Sequence, residues 1–114
     1  MKIVDSHQHF WDLSKMTYPW MPTSESIIRK NYLPDDLEPD LKSAGISRTI
    51  VVQANHTLEE TDFLLDLADR TDFVAGVIVW VDLQSDNVYE ELKELLWREE
   101  WRGLLLLKRI INGV

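Results

Sequence analysis

The stretch "RTIVVQA", from Arg48 to Ala54, decides the fold class of this chain. It is β-branched and apolar and does not alternate with polar residues, which is typical of a strand covered on both faces. Thr57 and Glu60 follow at the spacing of a capping box, so a helix is expected there, ending near Thr71. "FVAGVIVWV", from Phe73 to Val81, predicts a second buried strand. This strand, helix and strand order predicts a parallel βαβ unit.

The same alternation continues on both sides of this unit. Upstream, Lys2–Val4 predicts a short strand, and a helix is expected from Pro39 to Ala44, because proline is tolerated only in the first turn. Downstream, Ser85 is placed to cap a third helix, and the apolar run from Gly103 to Leu107 predicts another strand. The pattern therefore predicts an α/β fold of parallel βαβ units, with about four strands and three helices.

The length of the chain leaves two architectures open. Its 114 residues have the size of one domain, which we assign to residues 1–114. Such a domain is either a small open α/β sheet or the first half of a (β/α)8 barrel, which needs about 250 residues when complete. A truncated half-barrel leaves strand edges unpaired, so it predicts marginal stability or pairing with a second copy.

Composition excludes several classes of partner and site. The formal net charge of −8 disfavours nucleic acid and anionic membrane surfaces. The absence of cysteine excludes disulfides and thiolate zinc sites and fits a reducing compartment. The longest apolar run, Leu104 to Leu107, is far shorter than the roughly 20 residues that span a bilayer, and Asp5 interrupts any signal peptide. We therefore expect a cytoplasmic protein.

Two of the three histidines lie in "VDSHQHFWD", from Val4 to Asp12. Side chains alternate along a strand, so His7 and His9 are expected to point the same way and could share one metal ion. The carboxyl ends of parallel strands carry the active site in such folds, and this pair follows a predicted strand. A catalytic zinc ion normally has three protein ligands, so the pair alone is weak evidence. The alternative is two partly exposed histidines bonded to loop backbone.

"VDSHQHFWD" resembles the first strand of the amidohydrolase superfamily. More narrowly, it resembles the amidohydrolase-related branch that contains sugar-lactone hydrolases such as L-fuconolactonase and L-rhamnonolactonase. Further stretches are similar to successive segments of that branch, and the likeness covers roughly residues 2 to 83. These stretches are "TYPWM" (17–21), "YLPDDLEPDLKSAGI" (32–46), "TIVVQANHTLEETDFLLDLA" (49–68) and "VAGVIVWVDL" (74–83).

The resemblance implies a metal-assisted hydrolase on a distorted (β/α)8 barrel. His7 and His9 match the family's first-strand metal ligands. The implied cofactor is a divalent metal, zinc before others, although some members need little or no metal. The ion would polarise the carbonyl of a sugar lactone or similar cyclic ester or amide and lower the pKa of a bound water. The family's later histidines, its eighth-strand aspartate and its general base have no counterpart here, so the catalytic residues are unknown and the chain alone is expected to be incomplete.

Further side chains lie where predicted strands end, and the resemblance makes them candidates for contacts to a sugar-derived substrate. Gln53 and Asp82 could bond hydroxyl groups, and Trp80 could stack on a sugar face. His56 could face the same end of the barrel as His7 and His9. Arg29, in the long loop from residue 6 to 32, could meet a carboxylate. The alternatives are core packing for Trp80, a helix N-terminal acid for Asp82, and solvated side chains for His56 and Arg29.

Three functional hypotheses follow. The first is the N-terminal part of a metal-assisted lactone hydrolase, with a small-molecule lactone or carbohydrate-derived partner. The second is a non-catalytic truncated or spliced remnant that self-associates as a homo-oligomer or pairs with a full-length homologue. The third is a small α/β binding module in which the histidine pair is incidental.

Overall fold

A computed structural model of the chain describes residues 2–23 and 25–96. The described residues form one sheet in the order β1-β2-β3, with both strand pairs parallel. The predicted architecture of parallel βαβ units is confirmed, whereas the strand predicted at Gly103 to Leu107 lies outside the described residues. The elements are β1 (Val4–Gln8), α1 (Pro34–Ala44), β2 (Arg48–Val52), α2 (Leu58–Asp69), β3 (Val74–Ile78) and α3 (Val88–Leu96).

The first two elements differ from their predicted bounds. β1 was expected to end at Val4 but continues to Gln8, because pairing of Gln8 with Val51 of β2 holds the polar half of the strand in the sheet. The helix predicted from Pro39 begins five residues earlier, at Pro34. The Asp36 carboxylate accepts the backbone N–H of the residue before the helix at 2.9 Å, which stabilises this earlier start. Pro39 is exposed, so the backbone carbonyl that it leaves without a helical partner is near solvent.

Helix α2 begins as predicted, whereas α3 begins later than expected. Thr57 is the N-cap of α2, and its side-chain oxygen accepts the backbone N–H of Glu60 at 3.1 Å. Ser85 was predicted to cap α3, but its hydroxyl accepts the N–H of Asn87 at 3.1 Å, and the helix starts at Val88. Ser85 therefore forms the turn that precedes the helix. The helices are 11, 12 and 9 residues long, and no helix in the described ranges is long and apolar enough to cross a membrane.

The two faces of the sheet differ in how they are covered. One face packs against the apolar side of α2, whose Leu64 is 1% exposed, and belongs to the main core cluster. We call it the covered face; its residues are Gln8, Thr49, Val51, Val77 and Val79. Because side chains alternate along strands, the intervening residues point the other way. We call that side the open face. Its residues include His7, His9, Ile50, Ile78 and Trp80, which are exposed or partly exposed, and Val52, which is buried.

Candidate functional site

His7 and His9 lie side by side where β1 ends. Their ring centroids are 5.0 Å apart and the ring planes meet at 78°. His9 Nδ1 is 2.8 Å from the carbonyl oxygen of Val52, which can only accept, so Nδ1 carries the proton and donates. In the neutral ring the lone pair of His9 is therefore on Nε2, and this backbone bond fixes the ring as it is fixed in metal-ligating histidines. The predicted common direction of the two side chains is confirmed by their edge-to-face contact.

The chemistry of this pair fits a divalent metal ion. Neutral imidazole is a ligand for zinc, and His9 is already held in the required tautomer. Within residues 2–23 and 25–96, no group of three or more histidine, cysteine, aspartate or glutamate side chains could hold a metal ion. The pair thus supplies two ligands, and its role in metal binding stays a prediction.

Aromatic side chains from the long loop extend the histidine pair. The ring centroids of His9 and Trp11 lie 6.4 Å apart in a stacked arrangement, and those of Trp11 and Trp20 lie 5.4 Å apart with an angle of 71° between the planes. The indole N–H of Trp20 donates to the carbonyl of Ala54 at 2.5 Å, while 49% of the Trp20 side chain remains exposed. We call His9, Trp11 and Trp20 the aromatic wall. Sequence reasoning missed it, although Trp11 continues the alternation of His7 and His9 and could have been included.

A second ring pair joins the ends of β2 and β3. His56 and Trp80 stack at 6.3 Å with an angle of 27° between their planes. Trp80 is fixed through its backbone, since Thr61 donates its hydroxyl to the Trp80 carbonyl at 2.6 Å. The Trp80 indole nitrogen is buried and has no hydrogen-bond partner in the described part of the chain. Two of the predicted substrate residues are therefore in contact with each other.

The other three predicted substrate residues are held by contacts within their own segments. Gln53 is 8% exposed, and its amide donates to the Asn55 carbonyl at 3.4 Å. Asp82 is exposed and accepts the N–H of Gln84 at 3.0 Å, as expected for an acid in the turn before a helix. Arg29 is exposed and donates to the carbonyl of Pro22 at 3.1 Å. Among the described residues, no hydrogen bond or ring contact joins these three side chains to the histidine pair, and their roles in substrate binding stay predictions.

Glu60 is a buried acid that sequence reasoning treated only as part of a capping box. Its side chain is 1% exposed, and its carboxylate accepts the N–H groups of Ala54 at 3.0 Å and Asn55 at 2.9 Å. Burial raises the pKa of Glu60 to about 7, although the bonds from Asn55 and Ala54 act to lower it. The Thr57–Glu60 spacing did not predict these bonds, because the Glu60 side chain points toward the end of β2 and not toward the backbone of Thr57.

A family model described as amidohydrolase matches residues 4–110 of the chain. The L-fucono-1,5-lactonase of Burkholderia ambifaria is 42% identical over 101 residues, which cover 89% of this chain and 35% of that protein. The L-fucono-1,5-lactonase of Burkholderia multivorans is 37% identical over 103 residues, which cover 90% of this chain and 33% of that protein. The chain therefore spans about a third of the length of these curated relatives.

Two crystal structures of an amidohydrolase from Burkholderia multivorans are similar to this fold. One contains bound HEPES and matches with a TM-score of 0.74 and 36% identity over 87% of this chain and 34% of that chain. The other contains bound zinc and matches with a TM-score of 0.73 and 35% identity over 93% of this chain and 35% of that chain. The expectation that the βαβ units are the first part of a (β/α)8 barrel is thereby confirmed.

Proposed function

The chain belongs to the amidohydrolase family, and from that premise we propose that it supplies one wall of the active site of a metal-assisted hydrolase that opens sugar lactones. The observation that carries the proposal is the histidine pair where β1 ends, with His9 held by Val52 in the tautomer of a metal ligand. The 42% identity to an L-fucono-1,5-lactonase supports a sugar lactone as the substrate class.

His7 and His9 would hold the divalent ion, for which zinc is our first choice because a similar amidohydrolase structure contains zinc. When bound, such an ion supplies Lewis-acid polarisation of the lactone carbonyl and a lower pKa for a coordinated water. The contribution of this chain is to orient the two rings. The carbonyl of Val52 fixes His9, and the ring of His7 packs nearly perpendicular to it, with the centroids 5.0 Å apart.

The aromatic residues would bind the sugar ring and limit the access of water. Trp20 presents half of its side chain to solvent while its indole N–H is held by Ala54, so its ring offers a fixed apolar surface. Trp80 stacks on His56, and its buried indole N–H could donate to a substrate hydroxyl. These contacts would orient a lactone against the histidine pair.

A chimera tests this proposal. In it, the chain replaces the matched segment of the Burkholderia ambifaria lactonase, and hydrolysis of L-fucono-1,5-lactone is followed by release of acid. We expect the chimera to hydrolyse the lactone. The His7→Ala/His9→Ala variant should lower kcat/KM by at least about 100-fold, because removing metal ligands lowers activity more than removing the residues that support those ligands. A matched control is Glu59→Gln, an exposed change on α2 that should leave the rate unaltered. A folded chimera that does not hydrolyse the lactone, or one whose rate is unaffected by the histidine changes, would contradict the proposal.

A further inference from the structure

The turn between β2 and α2 is stabilised by one buried carboxylate, that of Glu60. Both oxygens of Glu60 lie 3.0 Å from the N–H of Ala54, and one of them also accepts the N–H of Asn55 at 2.9 Å. Glu60 lies in the first turn of α2, and its own N–H is bonded to Thr57. The helix start and the strand end are thus joined through this side chain.

The same turn anchors the long loop that carries the aromatic wall. The Ala54 carbonyl accepts the indole N–H of Trp20 at 2.5 Å. The Asn55 side chain donates to the carbonyl of Thr17 at 2.9 Å. Ala54 and Asn55 therefore bond both Glu60 and the long loop.

The turn also presents the second ring pair. Asn55 accepts the backbone N–H of His56 through its side-chain oxygen at 3.0 Å, and His56 stacks on Trp80. Thr61, the residue after Glu60, holds the carbonyl of Trp80 at 2.6 Å. Asn55 in the turn thus holds the backbone of His56, and Thr61 in the first turn of α2 holds the backbone of Trp80.

A buried carboxylate is a costly way to hold a turn, because taking it out of water disfavours its charged form. The N-cap of α2 is already satisfied by Thr57, so Glu60 is not required for that purpose. Within the described ranges, Glu60 alone accepts the two successive N–H groups of Ala54 and Asn55 where β2 ends.

We propose that Glu60 is a positioning residue of the lactone site, whose carboxylate sets the shape of the β2–α2 turn and thereby places Trp20 and His56 against the substrate. The substrate part of this inference rests on the proposed function, whereas the placement of the two rings does not.

Three variants separate acceptor capacity from charge and from position. Glu60→Met keeps an unbranched side chain of similar length and removes both acceptor oxygens. Glu60→Gln keeps the oxygen that accepts from both Ala54 and Asn55 but places an NH2 group where the second oxygen faces the Ala54 N–H, so it should restore the placement only in part. Glu59→Met is the matched control, since Glu59 is the exposed neighbour on the same helix turn.

The first readout is NMR of the full chain and does not depend on activity. The indole N–H signal of Trp20, assigned with Trp20→Phe, should move most in Glu60→Met, less in Glu60→Gln, and keep its position in Glu59→Met. An unmoved signal in folded Glu60→Met would overturn the proposal. If Glu60→Met does not fold, hydrogen exchange of the unaltered chain decides. Protection of the Ala54 and Asn55 amides would support their bonds to the Glu60 carboxylate. Exchange as fast as that of exposed loop amides would refute these bonds.

The second readout is steady-state kinetics of L-fucono-1,5-lactone hydrolysis in the chimera. In Glu60→Met we expect KM to rise about tenfold, which corresponds to about 1.4 kcal/mol, while kcat stays within about threefold. Unchanged KM with a lowered kcat would refute a role in placing the substrate wall. An inactive parent chimera would refute the proposed function alone, and the NMR result would still decide whether Glu60 places Trp20.

Discussion

The covered face and the open face of the sheet come from the same strands and serve different ends. On the covered face, Val51 and Val77 are each 1% exposed and belong to the core cluster that contains Leu64 of α2. On the open face, His7 and His9 are exposed, and their neighbours Ile50 and Ile78 are only partly buried. The comparison teaches that packing against α2 lies on one side of the strands and the proposed chemistry on the other, one residue apart.

The largest effect is expected from loss of packing on the covered face. Leu64→Ala removes a side chain of α2 that is 1% exposed, and it should lower the free energy of unfolding by about 2–5 kcal/mol. Leu58→Ala is the matched control, because Leu58 lies on the same helix and is 37% exposed; it should cost less than about 1 kcal/mol. Urea denaturation measures both free energies of unfolding. Equal losses in the two variants would contradict the claim that packing on the covered face stabilises the fold.

Glu60, under the end of β2, predicts a pH dependence of stability. Its pKa is raised from 4.5 to about 7 by burial, so between these values the folded chain binds more protons than the unfolded chain. Stability from this group is therefore lost as pH rises through that window. Denaturant titrations on either side of the window should show this slope in the unaltered chain and a smaller slope in Glu60→Gln. Identical slopes in the two proteins would exclude Glu60 as the source.

A smaller effect is expected from the polar pair that lies on the covered face. The Thr49 hydroxyl donates to the Gln8 side-chain oxygen at 3.2 Å, and both residues are buried. Thr49→Val leaves that oxygen without its donor and should cost about 1–3 kcal/mol. Adding Gln8→Met removes the stranded polar group, so the double variant should be more stable than Thr49→Val alone. A double variant that is less stable than the single one would show that the pair has another role.

The smallest effect on stability is expected on the open face. His7→Ala/His9→Ala removes two exposed side chains and one hydrogen bond, from His9 to the carbonyl of Val52. The free energy of unfolding in the absence of metal should change by less than about 1.5 kcal/mol. A loss as large as that of Leu64→Ala would mean that the histidines are structural, and the distinction between the faces would fail.

Local sequence signals predicted much of the fold. The β-branched runs that contain Val51 and Val77 predicted buried strands, and Thr57 predicted the start of α2, because these signals depend on neighbours in sequence. The histidine pair was also found in this way, since alternation along a strand places His7 and His9 on one side.

Contacts between distant segments could not be predicted from local patterns. The polar half of β1 is held in the sheet by its pairing with β2, 43 residues away at Gln8 and Val51, and no local propensity indicates it. Trp20 joined the candidate site only through its bond to Ala54, which lies 34 residues further along the chain. Glu60 had a sufficient local explanation as a capping residue, which hid its bonds to the preceding turn.

The most direct test of the account is the metal content of the size-fractionated chain after loading with zinc. The fractionation also tests the predicted pairing with a second copy. We predict that the folded fraction retains zinc, at no more than one ion per chain because the two histidines supply only part of a four-ligand shell, and that the His7→Ala/His9→Ala variant loses this zinc. A folded chain that retains no zinc, or one whose zinc content is the same in the variant, would contradict the claim that the open face of this sheet carries a metal site.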